Sequence, residues 1–353
     1  MKKISFWALT KGGQETASLL AQLWQKAYPQ TEVATFFPEV MQPSLKEKIK
    51  LEFDRWDAHV FIMASGIVVR CIAPCLKSKL HDPAVIVGDE KGQYLVSLLS
   101  GHWGNANWLT KELARLSNAT PVITTSTDVQ GITSIEDLIK LLKANPESLK
   151  PAKKLNSTLA NSGTLKVFWD NKSLLTTPLP LPERYEYTDN LINADLIFSN
   201  SQLTEIDPDK QLLLRIPYFA LGIGCRKNIS FHQLWRNLQS FLSSGNIAIS
   251  AIKALCSITL KKNEPAIWEL SQKLNLPLYF FEAEELKTYE SEQNFSAFVK
   301  KTTGVGCICE PAAMKACQKP KLIIPKTSYP QTTFALAADI SILSELDQVI
   351  RNK

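Results

Sequence analysis

The stretch of this 353-residue chain with the most chemistry in it is Ser97-Leu-Leu-Ser-Gly-His-Trp-Gly-Asn-Ala-Asn107. His102 is one of only four histidines in the chain. It alone has glycines close by on both sides, Gly101 and Gly104. An apolar run, Tyr94–Leu99, stops at Ser100-Gly101, and a helical pattern begins near Asn107 and continues to Leu116. His102 therefore belongs to a loop between a strand end and a helix start. Helix starts present N–H groups with no intrahelical partner and the positive end of the helix dipole. That setting suits an anion or a developing oxyanion, and an imidazole titrating near neutrality can give or take a proton beside it.

Other junctions repeat the arrangement. The apolar run Ala58–Met63 ends at Ala64-Ser65-Gly66, after which Ile67–Ile72 reads as helical. Pro121-Val-Ile-Thr-Thr-Ser-Thr-Asp128 reads as a short strand ending in a hydroxyl cluster with Thr124 and Thr125. In parallel α/β sheets the carboxyl ends of the strands share one edge, where ligands bind. Ser65, Gly66, Ser100, His102, Asn107 and Thr124–Asp128 are therefore expected to converge on one crevice. Asp128 can orient a histidine or act as acid or base, and it can equally cap a helix starting near Ser134. Asp89-Glu-Lys-Gly92 is turn chemistry between Val87 and Tyr94. A hairpin there puts Asp89 and Glu90 at the far end of the strand from His102.

Glycines also mark weaker anion candidates. Lys11-Gly12-Gly13 follows a first strand but lacks a nucleotide fingerprint's spacing, so it reads as a tight turn. Gly222-x-Gly224 reads as strand then glycine turn, with Arg226 and Lys227 beside it as an anion site. Thr302–Ala313 reads as a glycine loop, through Gly304, into a helix whose dipole Glu310 complements.

The elements that must position these residues alternate strand and helix over most of the chain, the mark of an α/β protein. Mainly parallel or mixed sheets flanked by helices are expected in an N-terminal domain, 1–145, and a C-terminal domain, 216–353. Asn145-Pro146, Lys150-Pro151 and the proline-rich Thr176–Pro182 bound a small α+β middle domain, 146–215. Its short strands, Leu165–Trp169, Leu196–Phe198 and Leu212–Ile216, carry little chemistry.

Composition narrows the function. The chain is 45% hydrophobic and 21% charged, ordinary for a globular protein of several domains. No apolar run of membrane length and no signal core are visible, so the cytoplasm is the expected location and no membrane partner is expected. Seven cysteines, an odd number without secretory context, read as reduced thiols. Cys71-x3-Cys75 and Cys307-x-Cys309 lack a second ligand pair at metal-site spacing, so no metal site is assigned. The net charge of +6 has its basic excess in the last third. Its lysines form isolated doublets, Lys261-Lys262 and Lys300-Lys301, which fit a polyanionic small molecule at least as well as nucleic acid, and no nucleic-acid partner is expected.

Taken together, these residues resemble the cobalt-precorrin-5A hydrolase family of anaerobic cobalamin biosynthesis. The resemblance rests on Ser65-Gly-Ile-Val-Val-Arg70, Lys79-x-x-Asp-Pro-Ala-Val85, Asp89-Glu-x-Gly92, Leu99-Ser-Gly-His-x-Gly-x-Ala-Asn107 and Pro121-Val-Ile-Thr-Thr-x-Thr-Asp128. It continues with Leu221-Gly-Ile-Gly-Cys-Arg226, Lys253 to Pro265, Thr303-Gly-Val-Gly306, Glu310-Pro-Ala-Ala313 and Lys326. Where the family has a second glycine after the histidine block, this chain has Asn105.

The resemblance implies hydrolysis of the ring A-acetate δ-lactone of cobalt-precorrin-5A. The C20 carbon then leaves as acetaldehyde and cobalt-precorrin-5B is formed. It implies no cofactor of the protein's own, with cobalt entering as part of a cobalt-tetrapyrrole substrate. Other cobalamin-pathway enzymes are allowed as partners, as is a homodimer. His102 would act as base toward water or acid toward the leaving oxygen, Asp128 would orient it, and backbone N–H groups around Gly101–Gly104 would hold the oxyanion. The substrate-binding set would be Ser65, Gly66, Ser100, Gly101, Gly104, Asn107, Thr124, Thr125, Gly222, Gly224, Arg226, Lys227, Gly304, Glu310 and Lys326. Arg226, Lys227 and Lys326 would pair with peripheral carboxylates. Two other readings remain open: a non-catalytic tetrapyrrole carrier, and a nucleotide-dependent enzyme using Lys11-Gly-Gly13 and Gly222-x-Gly224.

Overall fold

The computed structural model describes residues 1–37, 44–170, 173–174, 178–290 and 295–342. Pro43, the expected start of a helix, and Thr176-Thr177, the expected start of the proline-rich connection, lie outside the described residues. The chain forms two compact units, Met1–Glu136 and Asp137–Lys353.

In the first unit β1 (Lys3–Ala8), α1 (Lys11–Ala27), β2 (Glu32–Phe36), α2 (Leu45–Glu52), β3 (Ala58–Ile62), α3 (Ser65–Ile72) and β4 (Ala84–Gly88) alternate in chain order. Then come β5 (Tyr94–Leu99), α4 (Ala106–Ser117), β6 (Thr120–Val122) and α5 (Ser126–Val129), and α6 (Ile135–Leu141) begins in this unit and continues past its last residue, Glu136. The six strands make one sheet in the order β2-β1-β3-β4-β5-β6. β1 to β4 are parallel, whereas β5 is antiparallel to β4, with Val85 opposite Leu99 and Gly88 opposite Leu95. β6 runs with β5.

Strand alternation splits the core between two faces. Phe6, Ala8, Val60, Ile62 and Ile86 pack with Leu20 and Trp24 of α1 and Leu109 and Leu113 of α4. Trp7, Phe61, Val85 and Val87 face the other way onto Ile49, Phe53, Val68 and Ile72. β3 is buried at every position, as a strand covered by helices on both sides must be. In α1 the buried residues Ala17, Leu20, Ala21 and Trp24 recur at helical spacing, and Thr10 caps the helix by accepting from the Gly13 N–H at 3.2 Å. Gly12 and Gly13 thus lie inside the first turn of α1 and not in the tight turn read from the sequence. A Cβ on Gly13 would come within 3.0 Å of the Ile62 carbonyl oxygen, so this glycine lets helix and strand approach.

The second unit holds two five-stranded sheets. The first uses β7 (Asn145–Pro146), α7 (Ala152–Ala160), β8 (Leu165–Trp169), β9 (Tyr185–Tyr187), β10 (Leu196–Phe198) and β11 (Leu212–Arg215). The other uses β12 (Phe219–Cys225), α8 (Phe231–Ser244), β13 (Ile252–Ile258), α9 (Pro265–Leu274), β14 (Leu278–Phe281), α10 (Ala283–Lys287), α11 (Ala297–Thr303), α12 (Cys309–Lys315), β15 (Pro320–Tyr329) and β16 (Thr332–Asp339). Its strand order is β14-β13-β12-β16-β15, with β12 to β14 parallel and the last two antiparallel. The architecture is the mixed α/β arrangement read from the sequence.

Candidate active site

The His102 loop closes on itself. Ser100 and Asn105 both adopt left-handed backbone conformations, φ 58° and 66°, a region that asparagine tolerates better than most residues. The N–H groups of Ala106 and Asn107, the first two of α4, donate to the carbonyls of Ser100 and Gly101 at 3.1 Å each. The expectation that the start of α4 offers these donors to an anion is therefore corrected, because the loop itself consumes them. Gly101 and Gly104 are required by close approach. A Cβ would lie 2.8 Å from Asn107 Oδ1 at the first and 2.6 Å from Ser100 Cβ at the second. The Ser100 hydroxyl donates to the Asp82 carbonyl at 2.9 Å, anchoring the loop to the start of β4.

A polar cluster assembles around that loop. Asn107, only 5% exposed, accepts from the Ser97 hydroxyl at 2.6 Å through Oδ1. Through Nδ2 it donates to Thr125 Oγ1 at 3.0 Å and to Asp128 Oδ2 at 2.7 Å. Lys111, one helical turn beyond Asn107 and so on the same face of α4, donates to Asp128 Oδ1 at 2.9 Å. Asp128 Oδ2 stands 3.8 Å from His102 Nδ1. Two hydroxyls stand nearer the imidazole than Asp128 does, Thr127 Oγ1 at 3.2 Å from Nε2 and Ser134 Oγ at 3.4 Å from Nδ1. Asp128 lies within α5 and serves no cap of α6. Its two oxygens are spent on Asn107 and Lys111, and it faces His102 at ion-pair range. A largely buried imidazole with a carboxylate near one nitrogen and a hydroxyl near the other is a proton-transfer arrangement.

Ser100, Gly101, His102, Gly104, Asn107, Thr125 and Asp128 thus come together as expected. Thr124 is exposed next to them. Ser65 and Gly66 do not join. They follow β3, whose carboxyl end lies at one edge of the sheet, whereas antiparallel β5 delivers His102 to the opposite edge. Ser65 lines a different cavity, of about 420 Å³, with Thr10, Met63 and Glu90. The expected single crevice is corrected for that reason. Asp89 accepts from the N–H groups of Lys91 at 3.1 Å and Tyr94 at 2.7 Å, so it is a turn residue as read.

The remaining candidates belong to the second unit. Gly222 and Gly224 lie inside β12, not in a turn after it. A Cβ on Gly222 would sit 1.8 Å from the Cys309 carbonyl oxygen, and one on Gly224 would sit 2.4 Å from Thr333 Oγ1. These glycines admit α12 and β16, which corrects the phosphate-loop reading. Arg226 and Lys227 are exposed beyond the strand. Gly304, φ 85°, caps the end of α11. Glu310 is buried, and its carboxylate accepts from the backbone N–H of Lys326 at 2.7 Å.

Sequence reading included Thr127 in the Thr124–Asp128 group but passed over Lys111, and it took Ser134 only as the start of a helix. Lys111 had a signal, its four-residue spacing from Asn107 on a helix. Ser134, brought in by the turn after α5, had none. No group of three or more histidine, cysteine or acidic side chains suited to a metal occurs among the described residues. No helix there is long and apolar enough to cross a membrane.

Residues 47–128 match the family model described as cobalamin synthesis G N-terminal, and residues 219–337 match cobalamin synthesis G C-terminus. A cobalt-precorrin-5A hydrolase from Salmonella typhimurium is 33% identical over 335 residues, covering 88% of this chain and 91% of that protein. One from Priestia megaterium is 28% identical over 349 residues, covering 94% and 93%. A solved structure of a cobalamin biosynthesis protein G homolog from Sulfolobus solfataricus is 22% identical, covers 96% of this chain and 97% of its own, and superposes with a TM-score of 0.41.

Proposed function

Because the chain belongs to the cobalt-precorrin-5A hydrolase family, we propose that His102 and the cluster around it open the ring A-acetate δ-lactone of cobalt-precorrin-5A. The protein is a hydrolase of cobalamin biosynthesis. The residue roles within it are our reading. Lactone opening is acyl transfer to water, and it needs a base for the water, donors for the oxyanion and a proton for the departing alkoxide. His102 takes the proton from water and returns it to the leaving oxygen. Asp128, 3.8 Å from Nδ1, stabilises the imidazolium formed between those steps. Lys111 and Asn107 hold the carboxylate in place. The loop Gly101–Gly104 supplies the oxyanion donors. The second step expels the C20 carbon as acetaldehyde.

The observation that carries this reading is the convergence of His102 and Asn107 from one stretch of sequence and Asp128 from another on one largely buried polar cluster. Arg226, Lys227 and Lys326 are assigned to the carboxylates of the tetrapyrrole. We further propose that cobalt enters only with the substrate, that the protein works in the cytoplasm, and that a homodimer is its assembly. Three domains, 1–145, 146–215 and 216–353, remain our division of the three sheets. The test is to incubate purified protein with cobalt-precorrin-5A and assay acetaldehyde. Release is expected, and tight binding without release would support the carrier instead.

A further inference from the structure

We propose that His81 is the axial ligand to the substrate's cobalt, bonding through Nε2 and seating the macrocycle beside the His102 loop. The proposal rests on the hydrolase reading for the identity of the metal-bearing ligand.

A cavity of about 620 Å³ opens at the sheet edge where β3 and β4 begin and β5 ends. Its wall includes Trp103, Gly104 and Asn105, the residues directly after His102. Trp56 and Trp103 provide flat aromatic surface for a flat conjugated ring system. His81 lines the same cavity and is exposed to it. Its position is set by a tight turn in which the N–H groups of His81 and Asp82 both donate to the Ser78 carbonyl, at 3.1 and 2.9 Å. The Ser78 hydroxyl lies 2.9 Å from His81 Nδ1. Nε2 has no partner among the described residues. When Nδ1 carries the proton and donates it to the Ser78 hydroxyl, the Nε2 lone pair is left for a metal, the arrangement by which neighbouring groups commonly orient metal-binding histidines. Imidazole is a good ligand for first-row transition metals.

His102 does not fit that role, because its ring nitrogens face Thr127 and Ser134 at 3.2 and 3.4 Å. The aspartates of the cavity are already engaged. Asp57 accepts from the N–H groups of Lys2 and Lys3 at 2.6 and 3.0 Å. Asp54 pairs with Lys77 at 2.6 Å, and Asp82 accepts from the Lys77 N–H at 2.9 Å. Their negative charge still complements a cationic metal centre and repels peripheral carboxylates, which favours approach by the metal face. In the coordination step the Nε2 lone pair forms a bond to cobalt and an axial water leaves, with no change of oxidation state.

The test uses the full chain and cobyrinic acid in its Co(II) form, a polycarboxylate corrinoid with no base of its own. Electron paramagnetic resonance of the wild-type complex should show superhyperfine splitting from one axial nitrogen. The His81→Ala variant should lose that splitting and bind at least about tenfold more weakly, while His102→Ala should keep the splitting. Ser78→Ala should weaken binding about tenfold with the splitting retained, since orienting partners are worth roughly ten- to a hundredfold in metal affinity. A wild-type spectrum without axial nitrogen, or a splitting unchanged in His81→Ala, overturns the proposal. Acetaldehyde release is measured in parallel. Turnover without the axial signal removes His81 and keeps the hydrolase reading. The axial signal without turnover keeps His81 as the ligand of a carrier.

Discussion

At the scale of single residues, two histidines show how surroundings assign opposite tasks to one side chain. His102 lies among hydroxyls at a loop, with a carboxylate at ion-pair range. Replacing it with Ala or Asn should lower turnover by roughly 10²–10⁴-fold, the usual contribution of a positioned acid or base. Corrinoid affinity should stay close to that of the wild type, and near-normal turnover in either variant would remove His102 from the mechanism. Lys111→Met should shift the pH profile of turnover, because it unbalances Asp128 beside the imidazole. A variant with lower stability but an unshifted profile would make Lys111 purely structural. His59, by contrast, is a fully buried residue of β3 itself. The Trp7 indole N–H can only donate, and it points at Nδ1 from 3.2 Å. The Phe53 carbonyl can only accept, and it lies 3.0 Å from Nε2. The ring is therefore neutral with its proton on Nε2, and burial pushes its pKa from 6.5 down to about 4. As pH falls through that window the unfolded chain takes up a proton that the folded one refuses. Stability should be flat above about pH 7 and fall by about 3 kcal/mol on approaching pH 4. Denaturant unfolding of the wild type and His59→Gln over that range checks this. Equal slopes in the two proteins would place the acid sensitivity elsewhere.

At the scale of elements, strand positions were legible because buried strands must be apolar. Leu165–Trp169 and Leu196–Phe198 were read with the bounds they have in the structure. Direction was not legible from those runs, since an apolar run looks the same whichever way it lies. Yet the turn Asp89–Gly92 had been read as a hairpin, and a hairpin makes the second strand antiparallel to the first. That reading already implied that β5 leaves the sheet at the edge away from Ser65. The single-crevice expectation failed because it treated every strand as parallel. Glycines misled for a related reason. Gly222 and Gly224 look like a phosphate loop in sequence, and only the packed α12 and β16 show that they make room inside a sheet. Gly222→Ala should therefore destabilise the second unit by about 3 kcal/mol or more, as a methyl group cannot occupy the site of the Cys309 carbonyl. Thermal unfolding measures it, and a loss under about 0.5 kcal/mol, the range of neutral surface changes, would show that α12 yields easily.

At the scale of the whole chain, the boundary read at Asn145-Pro146 came from prolines, whereas compactness divides the chain after Glu136. Prolines mark where regular structure is interrupted, and α6, within whose first turn the division after Glu136 falls, carries no such mark. The first unit has what independent folding requires. Its six strands pair only with one another, and helices bury apolar side chains on both faces, Trp24 and Leu109 on one and Phe53 and Val68 on the other. The hydrogen bonds that join Ser97, Asn107, Lys111, Thr125 and Asp128 also lie within it. A fragment ending at Leu141, which keeps α6 whole, should unfold cooperatively in denaturant with a far-ultraviolet spectrum of mixed helix and strand. It should also keep the axial nitrogen signal with Co(II) cobyrinic acid, because His81 and its cavity lie in this unit. Turnover should be lost or severely reduced, since Arg226, Lys227 and Lys326, assigned to the substrate's carboxylates, are then missing. A fragment that folds and turns over like the full chain would remove the second unit from catalysis. One that unfolds without cooperativity would show that the first sheet depends on the remainder of the chain.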